Sequence, residues 1–175
     1  VVAPDFEAPS DFGSDNIYDV TVQVSDGTLT DTQALAVTIT AVNDNNPVIT
    51  SNGGGATTSV SIAENTTVVT TVTATDADLP AQALAYSISG GADAARFTID
   101  VNTGVLTFVA APDFELPTDF DSDNISDVIV QASDGTLTDT QAIAVTITAV
   151  NDNNPVITSN GGGVTAAVSI AENTT

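Results

Sequence analysis

Short acidic motifs recur along this chain, and their residue types suit a divalent cation. Within one stretch they are Ala63-Glu-Asn65, Asp76-Ala-Asp78, Asp113-Phe-Glu115, Ala132-Ser-Asp134 and Asn151-Asp-Asn-Asn-Pro155. Cations of calcium size take six to eight oxygen ligands, several of them anionic. Carboxylates that repel one another at strand ends are unfavourable without a cation. The motifs therefore predict Ca²⁺ as the bound ion.

The charge of the chain excludes several classes of function. The formal net charge is −22, Arg96 is the only basic residue, and Lys, His, Cys, Met and Trp are absent. Such a surface repels nucleic acid and anionic membranes. Without His, Cys or Lys the usual catalytic bases and nucleophiles are missing, so we expect no enzyme. Hydrophobic residues make up 42% of the chain, which predicts a folded protein.

The sequence repeats itself at a fixed spacing of 108 residues. PDFE, VNDNNP and AENTT each occur twice, and 56 of the 67 positions in residues 1–67 are identical in residues 109–175. About 100 residues can close a hydrophobic core, so the repeating unit is a domain in a tandem array. This predicts the end of one repeat at 1–46, a complete repeat at 47–154 and the start of a third at 155–175. We expect the two partial repeats to be loosely ordered or to pair with neighbouring material.

The complete repeat has the pattern of an all-β domain. Runs such as Val68–Thr75 and Ala142–Val150 alternate β-branched residues with a period of two. The pattern predicts seven strands, near 57–63, 67–75, 83–89, 96–100, 104–109, 126–133 and 137–149. Glycine-rich and Asn/Asp-rich turns separate them. Seven short strands in about 108 residues favour a Greek-key sandwich of immunoglobulin-like type.

The order of these motifs resembles the cadherin repeat over its whole length. The resemblance rests on Glu64, Asp76 with Asp78, the run Phe97-Thr-Ile-Asp-Val-Asn-Thr-Gly-Val-Leu106, Asp113 with Glu115, Asp134, and Asn151 to Pro155. In that family such residues bind calcium in the joint between successive domains. The resemblance implies a first joint formed by Asp5, Glu7, Asn43, Asp44, Asn45, Asp76, Asp78 and Asp134. It implies a second joint formed by Glu64, Asp113, Glu115, Asn151, Asp152 and Asn153, with the remaining ligands beyond Thr175.

Two departures from the family pattern affect the number of ions. Ala41 and Ala149 replace an acid in each joint, and Leu79–Gln82 replaces a small polar stretch. One ion is then lost or weakened, or another oxygen substitutes. A separate run, Asp119-Phe-Asp121-Ser-Asp123, either binds an ion or is a solvated charged turn. The simpler alternatives are that the acidic motifs are strand-end turns, a linker and a surface loop.

Other residues have simpler expected roles. Arg96 is expected to be a surface ion-pair partner, and Phe6 and Phe114 are expected to cover the sandwich core. Asn65 and Asn124 begin glycosylation sequons, which arise often by chance in a chain rich in Thr.

The motifs and the resemblance together predict an extracellular, calcium-stiffened rod that contacts adjacent repeats, similar to giant bacterial surface adhesins and matrix fibres. The alternatives are a filament or surface-layer subunit that exchanges strands between identical chains and, third, a carbohydrate-binding module.

Overall fold

The computed structural model describes residues 2–172 and is all-β. In that range the strands are β1 (Ile17–Ser25), β2 (Thr30–Thr38), β3 (Val48–Ile49), β4 (Thr57–Ala63), β5 (Val68–Thr71), β6 (Ala74–Thr75), β7 (Ala85–Gly90), β8 (Phe97–Ile99), β9 (Val105–Phe108), β10 (Ile125–Ser133) and β11 (Thr138–Thr148). The only helical elements there are 3₁₀ turns at Ser51–Gly53, Ala94–Arg96 and Ser159–Gly161. None of the described helices is long and apolar enough to cross a membrane.

The complete repeat is a sandwich of two principal sheets. One sheet has the strand order β4-β11-β10-β7, with β4 parallel to β11 and the other pairs antiparallel. The other has the order β5-β9-β8 and is antiparallel. The small pair β3 and β6 lies at one end of the repeat. These seven main strands confirm the predicted fold class.

One predicted strand, 67–75, is divided into β5 and β6. The division occurs because the chain changes hydrogen-bonding partners there. Val72 N–H donates to the carbonyl of Gly104 at 2.8 Å, whereas the carbonyl of Thr73 accepts from Thr50 N–H at 2.8 Å. The strand therefore leaves β9 and joins β3.

The core lies between the two principal sheets and follows the period of two. From one sheet it contains Val128, Val130, Ala132, Ile143, Val145 and Ile147, and from the opposite side Val69, Val72, Phe97, Leu106 and Phe108. The rings of Phe97 and Phe108 lie 4.3 Å apart between centroids. Phe114 packs against this core, as the sequence predicts.

The Asn102-Thr-Gly104 turn requires glycine for a steric reason. Gly104 has a φ of +69°, and a Cβ added there would lie 2.1 Å from the backbone oxygen of Val72. That carbonyl belongs to the residue whose N–H bonds to Gly104, so the two backbones approach closely. The turn thereby fixes β9 against the end of β5.

The two partial repeats differ from each other. Residues 1–46 contain a regular antiparallel hairpin of β1 and β2, contrary to the expectation of loose order, because the ladder and its turn are local. Residues 155–172 contain only the 3₁₀ turn and no strand. The second AENTT motif, at 171–175, lies partly outside the described residues.

Candidate metal centres

Three acids of the complete repeat converge at the end that faces the preceding repeat. Asp76 and Asp78 follow β6, and Asp134 lies in the turn between β10 and β11. One carboxylate oxygen from each lies within 4.8 Å of the others. Asp78 is only 1% exposed, and Asp76 caps its own turn by accepting Asp78 N–H at 2.9 Å. Three negative charges are thus held close together and partly removed from bulk water.

Residues of the preceding repeat approach the same acids. Glu7, Asp44 and Asp78 also present oxygens within 4.8 Å of one another. We call Glu7, Asp44, Asp76, Asp78 and Asp134 the first cluster. Asp78 Oδ1 accepts the Nδ2 amide of Asn45 at 2.9 Å, and Glu7 Oε1 accepts Leu79 N–H at 3.1 Å. The linker between the repeats is therefore bound to the acids of the complete repeat.

Asn43 extends the first cluster towards the loop after β6. Its Nδ2 amide donates to Oε1 of Gln82 at 3.2 Å. Its side chain also lies close enough to Asp134 to lower the pKa of that carboxyl. In the sequence, Leu79–Gln82 stands out only as a departure from the family pattern. Nothing in the local sequence indicates the contact between Gln82 and Asn43.

The ionisation of Asp134 is set by opposing effects. Loss of solvent opposes its charged form. Hydrogen bonds from the backbone N–H groups of Leu137 and Thr136, together with the nearby Asn43 side chain, outweigh this, so the pKa of Asp134 is lowered. The carboxylate is therefore kept ionised although it lies among other acids.

Three oxygens in this region are buried without a hydrogen-bond partner among the described residues. They are Asn43 Oδ1, Asp76 Oδ2 and Asp134 Oδ2. Buried oxygens normally have partners, and a bound ion can take that place where no hydrogen-bond donor does. The set is made only of oxygens, two of them anionic, and this is the ligand chemistry of calcium. The residues present therefore fit such an ion.

A second cluster lies at the opposite end of the complete repeat. It consists of Glu64, Glu115 and Asp152, whose oxygens lie within 4.8 Å of one another. Glu64 is 2% exposed and accepts backbone N–H groups of Phe114 at 2.8 Å and Val150 at 2.6 Å. Both of its oxygens are thus already hydrogen-bonded. The Nδ2 amide of Asn65 donates to Asp152 at 2.6 Å.

Some predicted ligands lie outside both clusters. Asp5 and Asp113 occupy matching positions, and each accepts two N–H groups of its own turn: those of Glu7 and Ala8, and those of Glu115 and Leu116. Asn153 donates to its neighbour Asp152 at 3.2 Å, and Asn151 is exposed. Asp5 and Asp113 shape the turns that carry Glu7 and Glu115.

Asp119, Asp121 and Asp123 bring a carboxylate oxygen each within 4.8 Å. We call residues 119–123 the acidic loop. Loss of solvent and repulsion from Asp123 and Asp119 raise the pKa of Asp121. Asp93 holds this loop against β10, because its carboxylate accepts N–H groups of Phe120 at 2.8 Å and Asp127 at 2.9 Å. No sequence motif marks this buried acid.

Two predictions for single residues need correction or refinement. Arg96 forms no ion pair with any acid in the part of the chain that the structure describes, so the expected ion-pair role is wrong. Asn124 is half-buried and its Nδ2 atom, the glycosylation point of a sequon, donates to the carbonyl of Phe114 at 3.1 Å. That amide is therefore engaged in fixing the loop.

One known protein family covers most of the complete repeat. Residues 58–151, more than half of the chain, match the family described as cadherin domain. No curated protein matches the chain.

Solved structures give the same result for the fold. The protocadherin gamma B4 extracellular domain is 27% identical, with a TM-score of 0.62 over 87% of this chain and 22% of that one. Cadherin domains 1–4 of protocadherin gamma B7 are 26% identical, with a TM-score of 0.62 over 82% of this chain and 34% of that one. Mouse cadherin-23 EC22–24, at 22% identity and a TM-score of 0.57 over 81% of this chain and 45% of that one, is similar in fold. The chain thus spans less than half of each neighbour.

Proposed function

The chain belongs to the cadherin domain family, and from that premise we propose that it is a calcium-stiffened module of an extended extracellular rod. The rod would be part of a cell-surface adhesin or a matrix fibre. Adjacent repeats of the same chain would be its direct partners. The observation that carries the proposal is the set of buried, unpartnered oxygens on Asn43, Asp76 and Asp134, where residues of two repeats meet.

The residues of the first cluster would hold the ion from both sides. Asn43, Asp44 and Glu7 belong to the preceding repeat, and Asp76, Asp78 and Asp134 belong to the complete one. A bound calcium ion would supply positive charge that offsets the repulsion among these carboxylates. Without it, acids on both sides repel one another over a Debye length of about 8 Å at physiological salt. The linker would then be held only by hydrogen bonds such as that between Asn45 and Asp78.

The second cluster supports the same proposal less strongly. Glu64 already satisfies its oxygens with Phe114 and Val150 N–H groups, and this positions one carboxylate beside Glu115 and Asp152. We propose that this cluster is the leading half of the next joint. It would bind calcium more weakly in this chain than the first cluster does.

Calorimetric titration tests the proposed ion. We expect the chain to bind calcium and Asp78→Asn to weaken the tighter site, because it removes a buried charge from the ligand set. Asp19→Asn is the matched control, since Asp19 is an exposed acid on β1 outside the clusters. Linkage predicts stabilisation of about 2.7 kcal/mol when free calcium is 100 times the dissociation constant. No heat of binding and an unchanged melting temperature with chelator would contradict the ion.

Distance measurements test the stiffening. The chain has no cysteine, so spin labels can be attached at Thr32→Cys on the hairpin and Thr98→Cys on the complete repeat. We expect a narrow distance distribution in calcium and a broad one in chelator, with Asp78→Asn broad in both. Calcium binding with an unchanged distribution would leave the ion in place but overturn its role in stiffening.

Strand exchange between copies is a second candidate. In the complete repeat, β4 pairs in parallel with β11, and Val60 lies opposite Val145. Residues 165–171 repeat most of the β4 sequence without forming a strand, and β2, the counterpart of β11, pairs with β1 alone among described strands. A mass by light scattering that rises with concentration and falls on Val168→Asp would favour this candidate. A constant monomer mass would exclude it.

A further inference from the structure

Arg96 is a cation without a counter-charge in a strongly acidic molecule. The sequence contains 23 acids and one basic residue, yet no acid in the described part of the chain pairs with Arg96. Its Nη1 atom is buried and has no hydrogen-bond acceptor there. The nearest acid in sequence, Asp93, directs its carboxylate to the N–H groups of Phe120 and Asp127 instead. A half-buried guanidinium in this state is costly, and an anionic partner would offset that cost.

A cavity of about 340 Å³ adjoins this side chain. It is lined by Ala95, Arg96, Val109, Ala110, Ala111 and Thr118. None of these is acidic, and apart from the arginine and the Thr118 hydroxyl the side chains are small and apolar. The guanidinium carbon lies 5.6 Å from the centre of the Phe108 ring, which supports the side chain from the core. The cavity therefore combines one positive group with walls that suit a short carbon chain.

We propose that this cavity binds a small organic carboxylate. The buried Nη1 is closed to a ligand, but Nε and Nη2 form the other edge of the planar guanidinium group, and their parallel N–H donors match the two oxygens of a carboxylate. The alanine and valine walls would contact the carbon body, and the Thr118 hydroxyl would offer one more hydrogen bond. The net charge of −22 repels anions at long range, so the affinity rests on this local contact and corresponds to a dissociation constant of about 1 to 10 mM. The site is separate from both acidic clusters.

Nuclear magnetic resonance tests the site directly, because Arg96 is the only arginine and gives a single Nε–H signal. The probe is propionate, added to the full chain at constant calcium concentration and constant ionic strength. We expect a saturable shift of this signal and of the Ala110 and Thr118 amides. Propionamide, which has nearly the same shape without the charge, should leave all three unchanged. Equal shifts with propionamide, or with sodium chloride alone, would overturn the proposal.

Variants distinguish binding of propionate in the cavity from a general effect of the protein's charge. Ala110→Glu places a carboxylate in the cavity and should reduce propionate binding at least tenfold. Thr140→Glu adds the same charge at an exposed position on β11 and should leave binding unchanged. In Arg96→Gln the Ala110 and Thr118 amides should no longer respond to propionate, while the rest of the amide spectrum shows the fold retained. Unchanged binding in Ala110→Glu, or retained responses in Arg96→Gln, would overturn the site.

Discussion

The hairpins β1–β2 and β10–β11 have almost the same sequence and the same ladder but opposite environments. Ile17 pairs with Thr38 in the first, and Ile125 pairs with Thr146 in the second. Ile125 and Thr146 each lie 108 residues after their counterparts, Ile17 and Thr38. Register is therefore set by the hairpin itself and its Ser-Asp-Gly turn, whichever surroundings it has.

The two hairpins differ in how deeply their equivalent side chains are buried. Val130 is fully buried, whereas the equivalent Val22 is 43% exposed. Val130 faces the sheet made by β5, β9 and β8, and the described residues hold no such sheet for the first hairpin. The alternation of apolar residues thus predicts which face of a hairpin is buried. The burial itself requires strands that are distant in the sequence, such as β5, β8 and β9.

The same contrast applies to a matched pair of acids. Asp26 and Asp134 each accept two backbone N–H groups of their turn, at 2.8 Å for Asp26 and at 2.6 and 2.7 Å for Asp134. Hydrogen bonds from Leu29 and Thr28 N–H groups lower the pKa of Asp26. Only Asp134 has Asn43 and two further acids beside it, and only its Oδ2 is buried and unpartnered among the described residues. Among the described residues, the motif forms only its turn at Asp26, whereas at Asp134 it also joins a cluster.

The largest expected contrast is in the free energy of unfolding. Ile143→Ala should destabilise the complete repeat by about 3 kcal/mol, because it leaves a cavity in a closed core. The equivalent Leu35→Ala should cost less than about 1 kcal/mol, since Leu35 is 40% exposed. Urea unfolding followed by circular dichroism measures both. Equal losses would mean that the first hairpin is buried in solution, for example by a second copy.

The next contrast is in calcium affinity. Asp134→Asn should raise the dissociation constant of the calcium site proposed at the first cluster about tenfold or more, because affinity depends on the number of charged ligands. Asp26→Asn removes the same group from the same turn and should change the affinity little. Calorimetric titration of the two variants shows whether Asp134 is a calcium ligand or only stabilises its turn, as Asp26 does. Matching effects would show that long-range charge, and not the first cluster, sets the affinity.

The smallest contrast concerns the acidic loop and its counterpart, where Gly13 stands in place of Asp121. The pKa of Asp121 is raised in the folded chain, so its stabilising contribution is present at low pH and is lost as the pH rises through that pKa. Without divalent cations, Asp121→Asn should therefore melt slightly higher than the parent at pH 7. At pH 3 this advantage should vanish, because the parent carboxylate is then protonated.

Gly13→Asp is the reciprocal change. It introduces a third acid between Asp11 and Asp15 and should lower the melting temperature at neutral pH. If the melting temperatures of Asp121→Asn and Gly13→Asp both equal that of the parent at every pH, solvent screens the acids of the two loops fully.

Much of the fold could be predicted from local patterns. The seven strands of the complete repeat appear within a few residues of their predicted bounds, since a period of two in β-branched residues reports which side of a strand is buried. The break between β5 and β6 could not be predicted. It depends on Val72 bonding to Gly104 and Thr73 bonding to Thr50, contacts that are long in sequence.

The candidate site could be predicted only in part. The motifs identified the acids, and the structure brings Glu7, Asp44, Asp76, Asp78 and Asp134 together. They offered no reason to separate Asp5 from Glu7, although Asp5 caps its own turn. Distinguishing such neighbours requires knowing where each side chain points after the turn forms.

The sequence by itself determined the period, the strand pattern, the hairpin registers and the excess of carboxylates, because these depend on neighbours within a few residues or on composition. Only the tertiary structure decided which acids share a site and which do not, and which strands cover the hairpin of β10 and β11. It also left Arg96 without an acid partner beside a cavity. The physical reason is that burial and charge pairing depend on residues that are distant in the chain and adjacent only after the sheets have packed.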